Sequence, residues 1–415
     1  MTLGVMKLNM IYDIVITSLP GMDKDKPAPG PSFLKGFLEP LGYKVKVIDG
    51  NQYDDLQRIH LEISQYKFKW LGISVFSFMQ KDDALKLGEE YDNVLYGGSG
   101  VDLKWPKKNF IVGEGEYALR EFLKGNLDYP GINGKPPKQI ENIQDLPPPD
   151  YSDVIKKHKY STAIISGSRG CVRGCTFCDV ASIWSMYKWK TGKQIAEDMH
   201  KVARETGLKS IGFSDSLVNG SMKHFRDLCL ELAKKDKKIK WNGQFIVRAA
   251  KTFSQQDFDN LANSGCSHLT MGLESGSEAV RDHMRKKFTN DDIDYFVNNL
   301  GERNITMKFL LIVGYPTETE EDFEMTLELL RRYGKYSHLI AVSPHMMMTY
   351  KNTPLDMEHR ELYDEDGFHW KNDISNYDIR YKRFLKVFEV GKKMGYKFNK
   401  HALEKIEKFN TQYQS

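Results

Sequence analysis

Residues 162–180 read TAIISGSRGCVRGCTFCDV, a short apolar run that leads directly into three cysteines separated by three and then two residues. The chain has only five cysteines in 415 residues, so their concentration in one glycine-rich turn calls for a chemical explanation. The apolar run predicts a buried strand, and the cysteines then lie in the loop that follows it. The two glycines between and before them allow the backbone to curl, so that Cys171, Cys175 and Cys178 can point inward together.

Downstream of this stretch the chain alternates strand-like and helix-like patterns, which predicts a partial (β/α)6 barrel. In such barrels the catalytic groups gather at the carboxyl ends of the strands, and this rule places the cysteine loop at the catalytic rim. The predicted strands are residues 162–168, 210–216, 241–249, 268–275, 306–316 and 339–346.

Upstream of this stretch, short apolar runs also alternate with helical patterns and predict an N-terminal Rossmann-like, doubly wound parallel sheet. Such sheets bind ligands at the carboxyl ends of their strands, where the loops containing Gly97, Gly98, Gly113 and Gly115 fall. Glycine turns also serve plain chain reversal, so neither loop by itself indicates a ligand. The predicted strands are residues 12–21, 43–51, 70–78, 93–100 and 109–116.

These patterns divide the chain into four predicted segments. The fold class is α/β, with the N-terminal Rossmann-like sheet followed by the partial (β/α)6 barrel and a helical C-terminal tail. The segments are a Rossmann-like domain at 1–133, a proline-rich linker at 134–159, a barrel at 160–346 and a helical region at 347–415.

The composition narrows the range of functions. Hydrophobic residues make up 40% and charged residues 28%, which is typical of a soluble protein, and a net charge of +4 is too small to indicate a nucleic-acid partner. No basic and apolar leader is recognisable, and no apolar run approaches the roughly 20 residues that span a bilayer. We therefore expect a cytoplasmic protein without a membrane partner. Cys229 and Cys266, each far from other cysteines in the sequence, are interpreted as small buried residues.

Three clustered thiolates suit zinc or an iron–sulfur cluster. Structural zinc requires four protein ligands and usually a second pair of cysteines, which this chain lacks. Three thiolates on a cubane cluster leave one iron without a protein ligand, and that asymmetry suits catalysis. The remaining alternative is three incidental buried cysteines.

The CxxxCxxC pattern, with Phe177 just before the last cysteine, resembles the radical S-adenosylmethionine enzymes. The resemblance covers about residues 160–345 and includes IGFSDS, MGLESGSEAV and FLLIVGYPTETEEDF in the order found in that family. It implies that the three cysteines ligate a 4Fe-4S cluster whose open iron chelates S-adenosylmethionine, which is cleaved to a 5′-deoxyadenosyl radical. The implied partners are a small-molecule substrate and an electron donor such as flavodoxin or ferredoxin.

The resemblance also assigns roles around the cosubstrate. Glu274, with Ser275 beside it, would bond the ribose hydroxyls, and Arg248 would pair with the methionine carboxylate. Phe177, Ile312 and Val313 would pack near the adenine. Each role has a structural alternative: a carboxylate at a helix N-terminus for Glu274, a surface ion pair for Arg248, and plain core packing for the two aliphatic residues.

Residues 10–150 resemble the cobalamin-binding domain that precedes many enzymes of this class, through LKGFLEPLGYKVKVID, GGSG, FIVGEGEYALREFL and DLPPPDY. Members that coordinate cobalt through a protein histidine carry DxHxxG after the first strand, whereas this chain has no histidine there. His60, the only histidine in this half, lies in a helical pattern and is typical of a surface residue. We expect cobalamin to bind near Gly97, Gly98, Gly113 and Gly115 without a protein histidine. The alternative is that the domain has lost cobalamin.

The leading hypothesis is cobalamin-dependent methyl transfer or radical rearrangement on an unreactive carbon. A cobalamin-free radical oxidoreductase and a non-catalytic iron–sulfur sensor are the alternatives. Methylthiotransferases of this class have three extra cysteines in their N-terminal domain, and none precedes Cys171 here. The run PHMMMTY at 344–350 is compatible with an apolar substrate pocket or with ordinary barrel packing.

Overall fold

The computed structural model describes residues 10–21, 24–234, 239–351, 353–360, 367 and 369–398. The chain forms two compact units, the first comprising residues up to 166 together with 194–214, and the second comprising 167–193 and the chain from 215 onward. The domain limits at 133, 159 and 346 stay predictions. Parts of the predicted N-terminal domain and of the predicted helical tail, at 1–9, 361–366 and 399–415, lie outside the described residues.

The first unit contains a five-stranded parallel sheet in the order β2-β1-β3-β4-β5. Because the order reverses at β1, the sheet is doubly wound, as the alternating patterns predict. All five predicted strands are present, with shorter bounds. They are β1 (Ile11–Ser18), β2 (Val45–Ile48), β3 (Lys67–Ser74), β4 (Val94–Gly97) and β5 (Phe110–Ile111).

Four helices accompany this sheet, and their apolar faces form a core with the strands. Val15, Leu71 and Val75 in this core are fully buried, together with Ile59 and Ile63 from the second helix. His60 on the same helix is half-buried and bonds Tyr91 through its Nδ1, so the surface interpretation of this histidine is only partly right. The helices are α1 (Pro29–Leu38), α2 (Leu56–Ile63), α3 (Lys81–Gly88) and α4 (Gly115–Leu123).

The proline-rich segment after β5 packs on the first unit. The carboxylate of Asp153 accepts hydrogen bonds from Lys35 at 2.7 Å and from Lys46 at 2.8 Å. Burial raises the pKa of Asp153, but the two lysines lower it by more, so the net shift is downward. The buried Tyr151 donates its hydroxyl to the carbonyl of Ile164 at 2.7 Å. These contacts hold the proline-rich segment in place within the first unit.

The first unit also holds one strand–helix–strand step, in which β6 (Ala163–Ile165) pairs in parallel with β9 (Ser210–Phe213) and α6 (Gly192–Thr206) lies between them in the chain. Between β6 and α6 the chain enters the second unit. There β7 (Ser168–Arg169) and β8 (Lys188–Trp189) pair antiparallel around the cysteines and α5 (Val180–Ile183). The sequence did not predict this hairpin, because strands of two residues show no alternation of apolar and polar positions.

The remaining strands of the second unit pair in parallel in chain order. Four of them match predicted strands, and β14 was not predicted. Together with the parallel N-terminal sheet, they confirm the predicted α/β fold class. They are β10 (Lys240–Phe245), β11 (Cys266–Glu274), β12 (Thr306–Val313), β13 (Ile340–Met346) and β14 (Lys397–Phe398).

Helices separate these strands, and three of them, α8 (Gln255–Asn263), α10 (Asn290–Glu302) and α11 (Glu320–Arg332), begin with a capping box that satisfies their free backbone amides. In the described part of the chain no helix is both long and apolar enough to cross a membrane. The helices are α7 (Met222–Ala233), α8 (Gln255–Asn263), α9 (Glu278–His283), α10 (Asn290–Glu302), α11 (Glu320–Arg332), α12 (Pro354–Glu358) and α13 (Tyr377–Lys393).

Candidate functional site

The three clustered cysteines line one cavity of about 350 Å³ within the second unit. Cys175 is buried, whereas Cys171 and Cys178 are half-buried. Burial raises the pKa of all three thiols, to about 11 for Cys178. The free thiols are therefore protonated at neutral pH, and binding of a metal would displace their protons.

The donor set fits an iron–sulfur cluster better than a single metal ion. Within the described ranges, no three His, Cys, Asp or Glu side chains are close enough together to bind one ion. In a cubane cluster each thiolate binds a different iron atom, so its ligands stand farther apart than those of zinc. Cys229 and Cys266 are buried away from this cavity, as the sequence predicts, and do not supply a fourth thiolate there.

A buried hydrogen-bond network holds the middle of the cysteine loop in place through Thr176. The Thr176 hydroxyl lies 2.8 Å from the Tyr315 hydroxyl, which in turn lies 2.8 Å from Nδ1 of His283. The Thr176 amide also donates to the carbonyl of Met284 at 3.3 Å. Because Tyr315 is fully buried, these bonds orient the segment that carries Cys175.

Asp215 holds the beginning of the loop. Its carboxylate accepts from the amide of Gly167 at 2.8 Å and from the hydroxyl of Ser168 at 2.6 Å. Burial raises the pKa of Asp215 to about 7, although both hydrogen bonds favour the charged form. The sequence offers no signal for this contact, since the partners lie 47 and 48 positions apart.

Glu274 ends strand β11 and lies at the cavity wall beside the cysteine loop. Its Oε1 accepts from Nζ of Lys286 at 2.7 Å, and that ammonium lies 5.5 Å from the ring centre of Phe177. Helix α9 begins at Glu278 with Ser277 as its N-cap, so the helix-terminus interpretation of Glu274 is wrong. Lys286 was missed by sequence reasoning because a lone lysine in a charged run carries no distinctive pattern.

The neighbouring predicted residues divide between the cavity and the core. Phe177 and Ile312 line the cavity, whereas Val313 is fully buried on the other face of β12. Ser275 is also fully buried, and its hydroxyl accepts from the amide of Ser277 at 3.1 Å. Val313 and Ser275 are therefore not brought to the cavity.

Arg248 does not line the cavity. Its guanidinium donates to the carbonyls of Asn219 at 2.6 Å and Gly220 at 2.5 Å. Burial is the main cause that lowers its pKa, and the nearby charge of Arg173 adds to it. The surface ion pair is therefore wrong for this residue. Its pairing with a methionine carboxylate stays a prediction.

Three further groups of cavity residues lie outside the predicted site. Met346, Met347 and Met348 all line the cavity, so the methionine run contributes to a pocket as well as to packing. Phe245 and Ile246, at the end of β10, add apolar side chains to the wall. The remaining lining residues include Arg173, Gln244, Thr270, Phe288, Leu310, His345 and Tyr350.

In the first unit, three of the four predicted glycines pack closely against neighbouring parts of the chain. Gly98 has a φ of +112°, and a Cβ there would lie 2.4 Å from the carbonyl oxygen of Val75. A Cβ at Gly113 would lie 2.7 Å from Pro137, and one at Gly115 would lie 3.2 Å from Leu34. A Cβ at Gly97, in contrast, would meet nothing closer than 3.8 Å.

Beside this loop the first unit exposes three large apolar side chains that sequence reasoning missed. Phe76, Phe78 and Met79 follow β3 and are 79%, 69% and 80% exposed. The hydroxyl of Ser99 donates to the carbonyl of Phe76, which ties this segment to the glycine loop after β4. We call the three side chains the apolar edge of the first unit.

Comparisons with known proteins relate parts of this chain to a protein family, to curated proteins and to solved structures. Residues 165–330 match the family model of the Radical SAM superfamily. The chain is 26% identical over 258 residues to an uncharacterized methyltransferase of Pyrococcus horikoshii, which covers 57% of this chain and 55% of that protein. It is 24% identical over 356 residues to the tRNA-2-methylthio-N(6)-dimethylallyladenosine synthase of Petrotoga mobilis, covering 76% and 75% of the two chains.

Two solved structures share the fold. One is the radical S-adenosylmethionine methyltransferase TsrM from Kitasatospora setae with cobalamin and a 4Fe-4S cluster bound, with a TM-score of 0.67 at 16% identity over 84% of this chain and 75% of TsrM. The other is the cobalamin-dependent S-adenosylmethionine radical enzyme OxsB with aqua-cobalamin bound, with a TM-score of 0.68 at 17% identity over 85% of this chain and 61% of OxsB.

Proposed function

We propose that the chain reductively cleaves S-adenosylmethionine at a 4Fe-4S cluster, as the match of residues 165–330 to the family model of the Radical SAM superfamily suggests. The observation that carries this proposal is the convergence of Cys171, Cys175 and Cys178 on one cavity that also contains Glu274. Cys171, Cys175 and Cys178 would hold this cluster, which would supply the electron that breaks a carbon–sulfur bond of the sulfonium group. A protein reductant such as flavodoxin or ferredoxin would deliver that electron.

The residues of the cavity supply binding and orientation. Oε1 of Glu274 is held by Lys286, and its second oxygen, Oε2, has no hydrogen-bond partner among the described residues. That oxygen is available to accept a bond from a ribose hydroxyl. Phe177 and Ile312 provide apolar wall for an adenine ring, and the methionines extend this wall and exclude water from the reacting atoms.

The direct test is anaerobic reconstitution of the protein with iron and sulfide, followed by dithionite and S-adenosylmethionine. We expect the absorption of a 4Fe-4S cluster and the release of 5′-deoxyadenosine or, where a methyl group is transferred, of S-adenosylhomocysteine. A protein that takes up no iron, or that binds iron and consumes no S-adenosylmethionine under any reductant, would refute the proposal.

We further propose that the first unit binds cobalamin and that the reaction is methyl transfer or radical rearrangement at an unreactive carbon of a small-molecule substrate. The apolar edge favours this finer function, because three exposed apolar side chains at the carboxyl end of β3 offer a surface for the flat corrin ring. The likeness to TsrM and OxsB supports the same proposal. Residues 1–170 contain no cysteine that could bind an additional cluster, which favours methyl transfer over methylthiolation.

Replacing Phe76 and Phe78 together with serine is expected to weaken the binding of hydroxocobalamin by at least tenfold. Burial of one phenylalanine side chain contributes roughly 1.5–3 kcal/mol, and each factor of ten in affinity corresponds to about 1.4 kcal/mol. Equilibrium dialysis against hydroxocobalamin measures the affinity. The matched control is Leu61→Ser, because Leu61 is an apolar residue on α2 that is also exposed, by 57%.

The bound corrinoid should also lack an imidazole ligand from the region after β1, since that region contains no histidine. Labelling the histidines of the protein with 15N should then leave the electron paramagnetic resonance spectrum of the cob(II)alamin state unchanged. If the double variant and the control bind hydroxocobalamin with equal affinity, the apolar edge does not contribute to cobalamin binding. A wild-type protein that retains no corrinoid after desalting would favour the cobalamin-free oxidoreductase.

A further inference from the structure

The backbone is unusual around one charged pair at the cavity. In the described part of the chain six non-glycine residues have a positive φ, and three of them are asparagines, which tolerate the left-handed region well. The other three are Glu274 at +64°, Arg285 at +61° and Lys287 at +55°. Glu274 is one member of the ion pair Glu274–Lys286, and Arg285 and Lys287 are the residues on either side of Lys286. Left-handed backbone at such residues is costly, and it concentrates where a function requires it.

Lys286 directs all its described contacts at this wall of the cavity. Its ammonium donates to Oε1 of Glu274 at 2.7 Å and to the carbonyl of Gly272 at 3.3 Å, and it lies over the ring of Phe177. A Cβ at Gly272 would lie 2.3 Å from Oε1 of Glu274 and 3.0 Å from Nζ of Lys286. Only glycine at this position leaves room for the pair.

A contribution to folding stability does not by itself explain the ion pair Glu274–Lys286. A buried ion pair contributes little net stability, because the loss of hydration of both ions offsets their attraction. Here the pair is combined with three left-handed residues, and one carboxylate oxygen remains without a partner among the described residues. This arrangement fits the orientation of a ligand acceptor, in which one oxygen is held so that the other faces the cavity.

We propose that Lys286 is a positioning residue for the cosubstrate: by binding Oε1 of Glu274 it directs Oε2 toward the ribose hydroxyls. The proposal deepens the function proposed above and rests on it, because it requires S-adenosylmethionine in this cavity. Lys286 acts through Glu274 in this role, so its contribution to affinity depends on the glutamate being present.

The test is a double-mutant cycle on the reconstituted protein, with the affinity for S-adenosylmethionine measured by isothermal titration calorimetry without reductant. We expect Lys286→Met to weaken binding by roughly tenfold, which lies within the usual coupling of residues in one network. Lys251→Met, the same change at an exposed lysine that does not line the cavity, should leave the affinity unchanged. In a Glu274→Ala background, Lys286→Met should cause little further loss, and the iron content should be the same in all variants.

Three results would overturn the inference. Wild-type affinity in Lys286→Met would do so, and so would an equal loss with and without Glu274, since Lys286 would then act independently. A wild-type protein that binds the cluster without S-adenosylmethionine, or that binds neither, would refute the proposed function together with the inference. The first two results, in contrast, leave the proposed function intact.

A second variant keeps the inference testable if Lys286→Met does not fold. Gly272→Ala retains both charges but places a methyl group where Oε1 of Glu274 and Nζ of Lys286 now lie. We expect weaker binding of S-adenosylmethionine at unchanged iron content. An unchanged affinity in this variant would show that the geometry of the pair is irrelevant to binding, and would overturn the inference.

Discussion

Replacement of Cys175 with alanine is expected to abolish both the iron–sulfur cluster and the cleavage of S-adenosylmethionine. All three thiolates are needed to hold three irons and leave the fourth open, so two cysteines cannot substitute for three. Iron and sulfide analysis after anaerobic reconstitution measures the cluster, and chromatography of 5′-deoxyadenosine and S-adenosylhomocysteine measures the cleavage. Cys171→Ala and Cys178→Ala should behave in the same way, because all three thiols line the same cavity.

The matched control is Cys229→Ala, which removes a buried thiol outside the cavity. This variant should take up as much iron as the wild-type protein, even if the lost packing lowers its melting temperature. Full iron content together with full activity in Cys175→Ala would refute the assignment of the cluster ligands.

Replacement of Glu274 with alanine should preserve the cluster but weaken the binding of S-adenosylmethionine by roughly ten- to a hundredfold. A hydrogen bond to a charged acceptor contributes about 1.5–3 kcal/mol, and about 1.4 kcal/mol corresponds to a factor of ten. Calorimetric titration of the reconstituted protein gives the affinity, and iron analysis shows whether the cluster is retained.

The alanine variant also leaves the ammonium of Lys286 buried without its carboxylate, which is destabilising in general. Glu274→Gln therefore serves as a second variant, since it keeps the shape of the side chain and one acceptor oxygen. Glu278→Ala, four residues further on and outside the cavity, is the control. Unchanged affinity in both Glu274 variants would exclude a role in ribose binding.

The fold was largely predictable because its signal is local and repeated. Each of the eleven strands inferred from apolar runs is present, with bounds that differ by a few residues. The additional strands β7, β8 and β14 are each two residues long and form only through their partners. Their pairing is a tertiary property, and no pattern of two residues distinguishes a strand from a turn.

The candidate site was predictable where a motif carries the chemistry. The spacing of Cys171, Cys175 and Cys178 pointed to a shared cavity, and Phe177 and Ile312 also line it. Position alone was a poorer guide for other residues. Val313 beside Ile312 turns into the core, because neighbouring residues of a strand point in opposite directions. Ser275 is also buried, after β11 ends at Glu274 with left-handed backbone.

The sequence by itself determined the alternation of strands and helices and the three soft ligands in one loop, because periodicity and spacing are properties of neighbouring residues. Only the tertiary structure decided which distant groups complete the site. Lys286 reaches Glu274 from 12 positions away, and Tyr315 reaches Thr176 from 139 positions away. Such contacts depend on how strands and helices pack in three dimensions, and the packing of Gly272 and Gly98 against their neighbours is decided in the same way.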